Sequence, residues 1–359
     1  MSGSRRHLLL AITGHGYGHA AQTAPVVDAL RALRPDLRVS ARTDLDAGVL
    51  ALFFSALDGV SRPVADFGFT SRSAIEVDVE TAERDFGALH RRFAAAVDAE
   101  AEALRRLAPD LVLANVGYVP IAAAARAGIP AVGFSSLNWL GIVRGYDRSW
   151  CDAATIEAEM AAAYRQARLF IRPTPAMPMT DFPTVDVGPV ARRGTGRRAV
   201  LAERLGLGAD DRVVLVSLGG IATDLKLAAW PTVPGVHFVV AGLPVPPRAD
   251  MTALPALNLS HLDCLASVDA VVTKPGYGTI VEAACHAIPA LYVRRGSWPE
   301  EPYLLAWFDA HGTARELSRA ALARGELAPA LAALWGMARR PAVPATGNHE
   351  AAERIAALL

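Results

Sequence analysis

The segment VVTKPGYGTIVEAACHAIPALYV, residues 271–293, decides the fold. A short run of valine and threonine gives way to Gly276-Tyr277-Gly278-Thr279, then to an alanine-rich stretch over residues 279–287, then to a second apolar run over 289–295. Apolar runs of this length bounded by glycine and proline read as buried strands, and the longer segment between them as a helix. Strand, turn, helix and strand form a parallel unit whose helix crosses one face of a sheet. Glycines at the helix start let a ligand approach backbone amides that have no partner inside the helix, so the unit offers a seat for phosphate.

Three side chains around this seat have two readings each. Thr279 caps the helix or bonds a ligand oxygen. Glu282 completes a capping box with Thr279 in the first turn, or accepts two hydroxyls of a ribose. Lys274, just ahead of the glycines, faces solvent or neutralises phosphate. A further glycine pair, Gly219 and Gly220, ends the run RVVLVSLGG at 212–220. It is a simple turn or a second wall around a diphosphate. In WPEEPYLL, residues 298–305, Glu300 and Glu301 are favourable charges at a helix start or a grip on sugar hydroxyls.

Working outward, the second half continues with strand candidates at 237–242, 256–262 and 270–276. The first half has the same texture. Runs at 7–13, 38–43, 110–116 and 130–136 read as strands, and 20–33, about 79–107 and 119–127 as helices. Between the halves lies IRPTPAMPMTDFPTVDVGPVARRGTG, whose prolines cannot propagate a helix. The expected organisation is therefore an α/β chain of two Rossmann-like domains facing across a cleft. Residues 1–170 form the first domain, 171–196 a proline-rich linker, 197–340 the second domain and 341–359 a tail helix.

The opening loop TGHGYGHA has its own chemistry. Gly14, Gly16 and Gly18 allow backbone to lie against a substrate, and two histidines sit among them. A dinucleotide fingerprint needs glycine where His19 stands, and a phosphate loop needs Gly-Lys-Ser/Thr, so both are disfavoured. His19 is either a helix-start residue with structural hydrogen bonds or a group for proton transfer near neutral pH. His15 shares the loop and both readings. The two are four apart, but the glycines between them argue against helical zinc ligands, and no metal site is expected.

Whole-chain numbers narrow the class. At 359 residues two domains are the natural prior, and 52% apolar residues supply large cores. Basic and acidic residues number 36 each, so net charge attracts neither nucleic acid nor an anionic membrane. Cys151, Cys264 and Cys285 are odd in number and widely spaced, as expected of reduced thiols in the cytoplasm. No run reaches the ~18 apolar residues of a spanning helix, and the amino-terminal run lacks a cleavage pattern.

The segment at 271–293 resembles the donor-binding segment of GT-B glycosyltransferases, notably the bacterial N-acetylglucosaminyltransferase that makes lipid II and the plant galactolipid synthases. GHGYGHAAQTAPVVDAL is similar to their amino-terminal loop, with Gly18-His19 matching its Gly-His. The combination of GHGYGHA, GYGTIVEA and EEPYL is closer still to the glycosyltransferase-like module of plant arabinokinases. The resemblance implies a GT-B fold and transfer of a hexosyl or N-acetylhexosaminyl group from a nucleoside-diphosphate sugar, such as a UDP-sugar. It places Gly219, Gly220, Gly276, Gly278 and Thr279 around the diphosphate, and Lys274 and Tyr277 complete the expected donor-binding set. Glu282 falls on the ribose and the backbone near His261 and Leu262 on the base. WPEEPYLL departs from the Asp-Gln sugar contact of the lipid II enzyme, which leaves the sugar open.

The implied reaction is an inverting, metal-independent displacement in which His19 takes the acceptor's proton. No cofactor is expected beyond the donor. The acceptor is a small molecule or lipid-linked, with SSLNWLGIVRGYDRSW at 135–150 as its contact or as interdomain packing, and with peripheral contact at the inner face of the membrane as the lipid case. The same architecture serves sugar-nucleotide epimerases and non-catalytic nucleotide-sugar-binding proteins, which stay as alternatives.

Overall fold

In a computed structural model of the chain, the alternation of strand and helix builds two parallel sheets. The structure describes residues 5–14, 16–64, 68–69, 71–73, 75–146, 152–219 and 224–359.

The first part runs β1 (His7–Ile12), α1 (Gly18–Leu33), β2 (Arg38–Arg42), α2 (Ala47–Phe53) and β3 (Val60–Ser61). A small antiparallel pair, β4 (Ser71–Ser73) and β5 (Glu76–Val77), precedes α3 (Val79–His90) and α4 (Phe93–Leu107). Then come β6 (Leu111–Asn115), α5 (Val119–Ala127), β7 (Ala131–Phe134), α6 (Trp139–Arg144), α7 (Ala153–Tyr164), β8 (Leu169–Pro173) and β9 (Val185–Val187). Among the described residues the sheet order is β3-β2-β1-β6-β7-β8-β9, and every pair is parallel. Helices cover both faces, which is why β1 reads as an unbroken apolar run with Leu8, Leu9 and Leu10 all fully buried.

The second part runs α8 (Arg198–Leu205), β10 (Arg212–Ser217), β11 (Val236–Ala241), β12 (Met251–Ala253), α9 (His261–Leu265), β13 (Ala270–Thr273) and α10 (Tyr277–Cys285). It continues with β14 (Ala290–Tyr292), α11 (Glu301–His311), β15 (Ala314–Glu316), α12 (Arg319–Arg324) and α13 (Ala328–Trp335). The order among described residues is β12-β11-β10-β13-β14-β15, again parallel throughout.

Three expectations need correction. The proline-rich stretch is not wholly a linker: its strands β8 and β9 edge the first sheet, with Pro173 at a strand end and the Arg172–Asp186 ion pair (2.6 Å) bridging them. Short strands fit between prolines because only the residues between them need to bond. The run at 256–262 is not a strand. Asn258 takes a left-handed φ of 44°, and Ser260 caps α9 by accepting from the Asp263 amide at 3.0 Å, so the strand lies earlier, at β12. The helix over 79–107 breaks into α3 and α4 at Arg91 and Arg92.

The final helix, α14 (Gly347–Ala356), returns to the first part and packs on α1. Ala351, Ala352 and Ile355 join a buried cluster with Ala20, Ala24 and Val27 of α1, whose small side chains permit close approach. The returning chain is stitched to the outgoing one. The Ala191 amide donates to Asn348 Oδ1 (3.1 Å), Asn348 Nδ2 to the Ala191 carbonyl (2.8 Å), and the Gly188 amide to Glu350 (2.8 Å). Among the described residues no helix is long and apolar enough to cross a membrane.

Candidate active site

In parallel α/β sheets, ligands bind at the carboxyl ends of strands where the strand order reverses. Those points fall between β1 and β6 in the first sheet and between β10 and β13 in the second. The loops there are Thr13–Gly18 with Asn115, and Ser217–Gly219 with Lys274–Gly276. The two carboxyl edges face each other, because Ser136 beyond β7 bonds Glu300 beyond β14 at 2.7 Å.

On the first side, Gly16 takes φ +68°, a conformation that only glycine adopts cheaply, and Gly18 opens α1. Gly14, half-buried, lies two residues past the end of β1. His19, on the first turn, is half-buried with its ring edge-on to Trp139 at 5.9 Å. Its Nδ1 lies 2.9 Å from Oδ1 of Asn115, a fully buried residue at the end of β6. The Asn115 amide nitrogen is occupied on its other side by Thr23 Oγ1 (3.0 Å) and Gln22 Oε1 (3.1 Å), so its oxygen faces the ring. That oxygen only accepts, so Nδ1 carries the proton and the lone pair of the neutral ring is on Nε2. The His19 ring is thus held in one orientation by a second residue. Asn115 was missed in the sequence; the signal was a lone polar residue ending an apolar strand beside β1.

On the second side the glycine loops close around two cations. A Cβ placed on Gly219 (φ +86°) would lie 3.4 Å from Lys274 Cε, and one on Gly276 would lie 3.7 Å from Lys274 Nζ and 3.9 Å from an Arg295 nitrogen. Among the described residues neither cation has an ion pair, and Arg295 Nε is buried without a hydrogen bond. Arg295 stacks its guanidinium 5.3 Å from the centre of the Trp298 ring. Burial, then the charge of Arg295, pulls Lys274 down to about 7, with Glu300 and Glu301 opposing. Two half-buried cations with no ion-pair carboxylate among the described residues thus stand close together against bare backbone, an arrangement with the charge to receive an anion. Arg295 was also missed; it closes the run at 289–295, three residues past the end of β14.

The remaining expected residues divide. Gly276 is the N-cap of α10, so Tyr277, Gly278 and Thr279 supply the first amides, and space above Gly278 is open. Glu282 therefore sits in the second turn, and the capping box with Thr279 does not form. Its carboxyl makes no hydrogen bond to described residues, and burial pushes it up to about 8, with Arg192 opposing. The Tyr277 hydroxyl is taken by the first part of the chain, donating to the Thr174 carbonyl (3.1 Å) and accepting from the Val190 amide (3.0 Å). Only its backbone remains for a ligand. His261 bonds Ser217 Oγ at 3.0 Å, and burial keeps its ring neutral. Gly194 packs directly on the Leu262 carbonyl, so the interdomain connection lies against that peptide.

Glu301 accepts from the Arg295 amide (2.7 Å), and Glu300 from Ser136 and from Trp298 Nε1 (3.0 Å), so protein groups already hold both carboxylates. Of the 135–150 stretch, Trp139 is buried beside Phe69 and Arg144 is paired with Glu157 and Asp181. Trp139 shares a buried cluster with Trp298 of the second domain, whereas neither partner of Arg144 lies in that domain. His15 and Gly220 lie outside the described residues. Among the described residues no group of three His, Cys, Asp or Glu is placed to hold a metal ion.

Two parallel-sheet domains with their carboxyl edges opposed define the GT-B fold. The SnogD glycosyltransferase of Streptomyces nogalater matches it with a TM-score of 0.58 at 21% identity, over 99% of this chain and 100% of that one. A UDP-glucosyltransferase of Polygonum tinctorium matches with a TM-score of 0.61 at 14% identity, over 100% and 99%. The sequence is 30% identical over 346 residues to the L-arabinokinase of Arabidopsis thaliana, covering 92% of this chain and 32% of that protein. The chain thus spans about a third of that relative's length. No protein-family model matches it.

Proposed function

We propose that this protein is a glycosyltransferase that moves a hexosyl or N-acetylhexosaminyl group from a nucleoside-diphosphate sugar to an acceptor hydroxyl. The observation that carries the reading is the pair Lys274 and Arg295, set without carboxylate partners between two glycine loops and opposite an oriented His19. His19 Nε2 takes the acceptor proton as that oxygen bonds to the anomeric carbon. The bond from that carbon to the phosphate oxygen breaks, and its electron pair stays on the diphosphate. Lys274, Arg295 and the amides of α10 stabilise that charge, the part a divalent ion would otherwise play. Attack from the face opposite the departing oxygen would invert the anomeric carbon. The buried free thiols of Cys264 and Cys285 support a reducing compartment, the cytoplasm.

A screen of nucleoside diphosphates and their sugar conjugates, uridine first, tests this by thermal shift. A ligand at a hundredfold excess over its Kd stabilises the fold by about 2.7 kcal/mol. No shift from any of them, or the same shift from orthophosphate alone, overturns the reading. Glu282→Ala should weaken ribonucleotide binding by about 1–3 kcal/mol, as expected when buried ribose hydroxyls lose their hydrogen-bond partner. The loss should vanish with 2′,3′-dideoxy analogues; an equal loss for both would place the ribose elsewhere.

A nucleotide-sugar-binding module that transfers nothing is the second reading, and Asn115 favours it. An amide oxygen orients the imidazole but brings no charge to stabilise the imidazolium, as a carboxylate would. Acceptor-dependent release of nucleoside diphosphate separates the two.

A further inference from the structure

A chain of side-chain hydrogen bonds crosses the cleft. It runs from His19 Nδ1 to Asn115 Oδ1 (2.9 Å), from Asn115 Nδ2 to Gln22 Oε1 (3.1 Å), from Gln22 Nε2 to Ser136 Oγ (3.1 Å), and from Ser136 Oγ to Glu300 Oε1 (2.7 Å). Trp298 Nε1 donates to the other oxygen of Glu300 at 3.0 Å. Gln22, Asn115, Ser136 and Glu300 are each at most 4% exposed. Glu300 and Trp298 belong to the second domain, the others to the first.

The direction of every bond is fixed from one end. Thr23 Oγ1 donates its single proton to the His19 carbonyl (2.8 Å), so toward Asn115 Nδ2 it can only accept. Asn115 must therefore show its amino group there and to Gln22, whose carbonyl turns toward it. The Gln22 amino group then faces Ser136, whose own proton is left for Glu300. Trp298, a donor only, meets the second oxygen. Glu300 must accept at both oxygens, which a carboxylate does and an amide cannot.

We propose that Gln22 and Ser136 are positioning residues of the transfer: they dock Glu300 at one place on the first domain and so set the separation of His19 from Lys274 and Arg295. The inference rests on the transfer reading. Docking reaches the cations directly, because Glu300 precedes Glu301, which holds the backbone amide of Arg295. Base and leaving-group cations lie on different domains, and a misplacement of ~1 Å in such a site costs roughly 10² in rate. Glu300 is then a clasp between domains and not the sugar contact expected from the sequence.

A double-mutant cycle of Ser136→Ala, Glu300→Gln and their combination tests it in two ways. Without ligand, each single change should speed backbone hydrogen exchange both at residues 135–138 and at 295–301, and the double should add nothing. In single-turnover release of nucleoside diphosphate from the donor found by the binding screen, each single change should lower the rate by roughly 10 to 10². The Kd for the nucleoside diphosphate should stay within about threefold, as expected when only alignment is lost. Gln22→Met, which removes the middle link at similar volume, should give the same signature if Ser136→Ala fails to fold. Additive effects, or a Kd that weakens in step with the rate, would overturn the proposal. Coupled exchange in a parent that releases nothing from any donor would overturn the transfer reading and the positioning role with it. Uncoupled exchange in a parent that turns donor over would overturn the clasp alone.

Discussion

Replacing His19 by alanine is expected to lower the transfer rate by about 10² to 10⁴, the span for loss of a general base. Nucleoside-diphosphate affinity should be unchanged, because the anion seat at Lys274 and Arg295 is on the other domain. In the proposed transfer, Asn115 fixes the proton on Nδ1 and leaves Nε2 to accept the acceptor's proton. Single-turnover release of nucleoside diphosphate at saturating donor is the measurement, with His15→Ala run beside it. Full activity in His19→Ala and none in His15→Ala would move the base to the other histidine. Full activity in both would leave the loop as a shaping turn.

The second large effect belongs to the cations. Lys274→Met and Arg295→Met should each weaken binding of the nucleotide sugar by about 1.5–3 kcal/mol, the worth of a hydrogen bond to a charged group. Isothermal titration would read this as a roughly tenfold to hundredfold rise in Kd. The two differ in pH dependence. Lys274 sits at about 7 in the free protein and should rise when the diphosphate arrives, so binding takes up a proton above that pH. Affinity should be greatest below pH 7 and fall as pH climbs past it. The nucleotide sugar is the right probe, since its diphosphate diester does not titrate in this window. Arg295→Met should keep a pH dependence displaced to higher pH, because the neighbouring positive charge is gone, and Lys274→Met should lose it. A flat profile in the parent would show that Lys274 is not in the seat.

Much of this was legible because the informative residues stand next to one another. The 271–293 segment carries its own strand, turn and helix, and glycine at 276 and 278 has few other uses there. Gly18-His19 is equally local. Asn115, Gln22, Ser136 and Arg295 were not legible, since each gains its role from partners brought near by folding, up to 164 positions away for Ser136 and Glu300. Glu300 shows the same limit. Two carboxylates before a helix suggest a ligand grip, and only the placement of Ser136 and Trp298 shows that its oxygens are already engaged. The strands β8 and β9 were hidden by composition, because prolines at 173, 183 and 189 flank the bonded residues without interrupting them.

The stitched crossings beside α14 bear on how the cleft can open. The chain passes between domains twice, after Val187 and before Gly347, and the two passages are tied at Gly188 and Ala191. A single tether would let the domains twist about its axis. Two tethers bonded side by side act as a book's spine, which permits swinging about one line and resists torsion. A spine of that kind would let any closure bring the same pages together, with Ser136 returning to the same oxygen of Glu300.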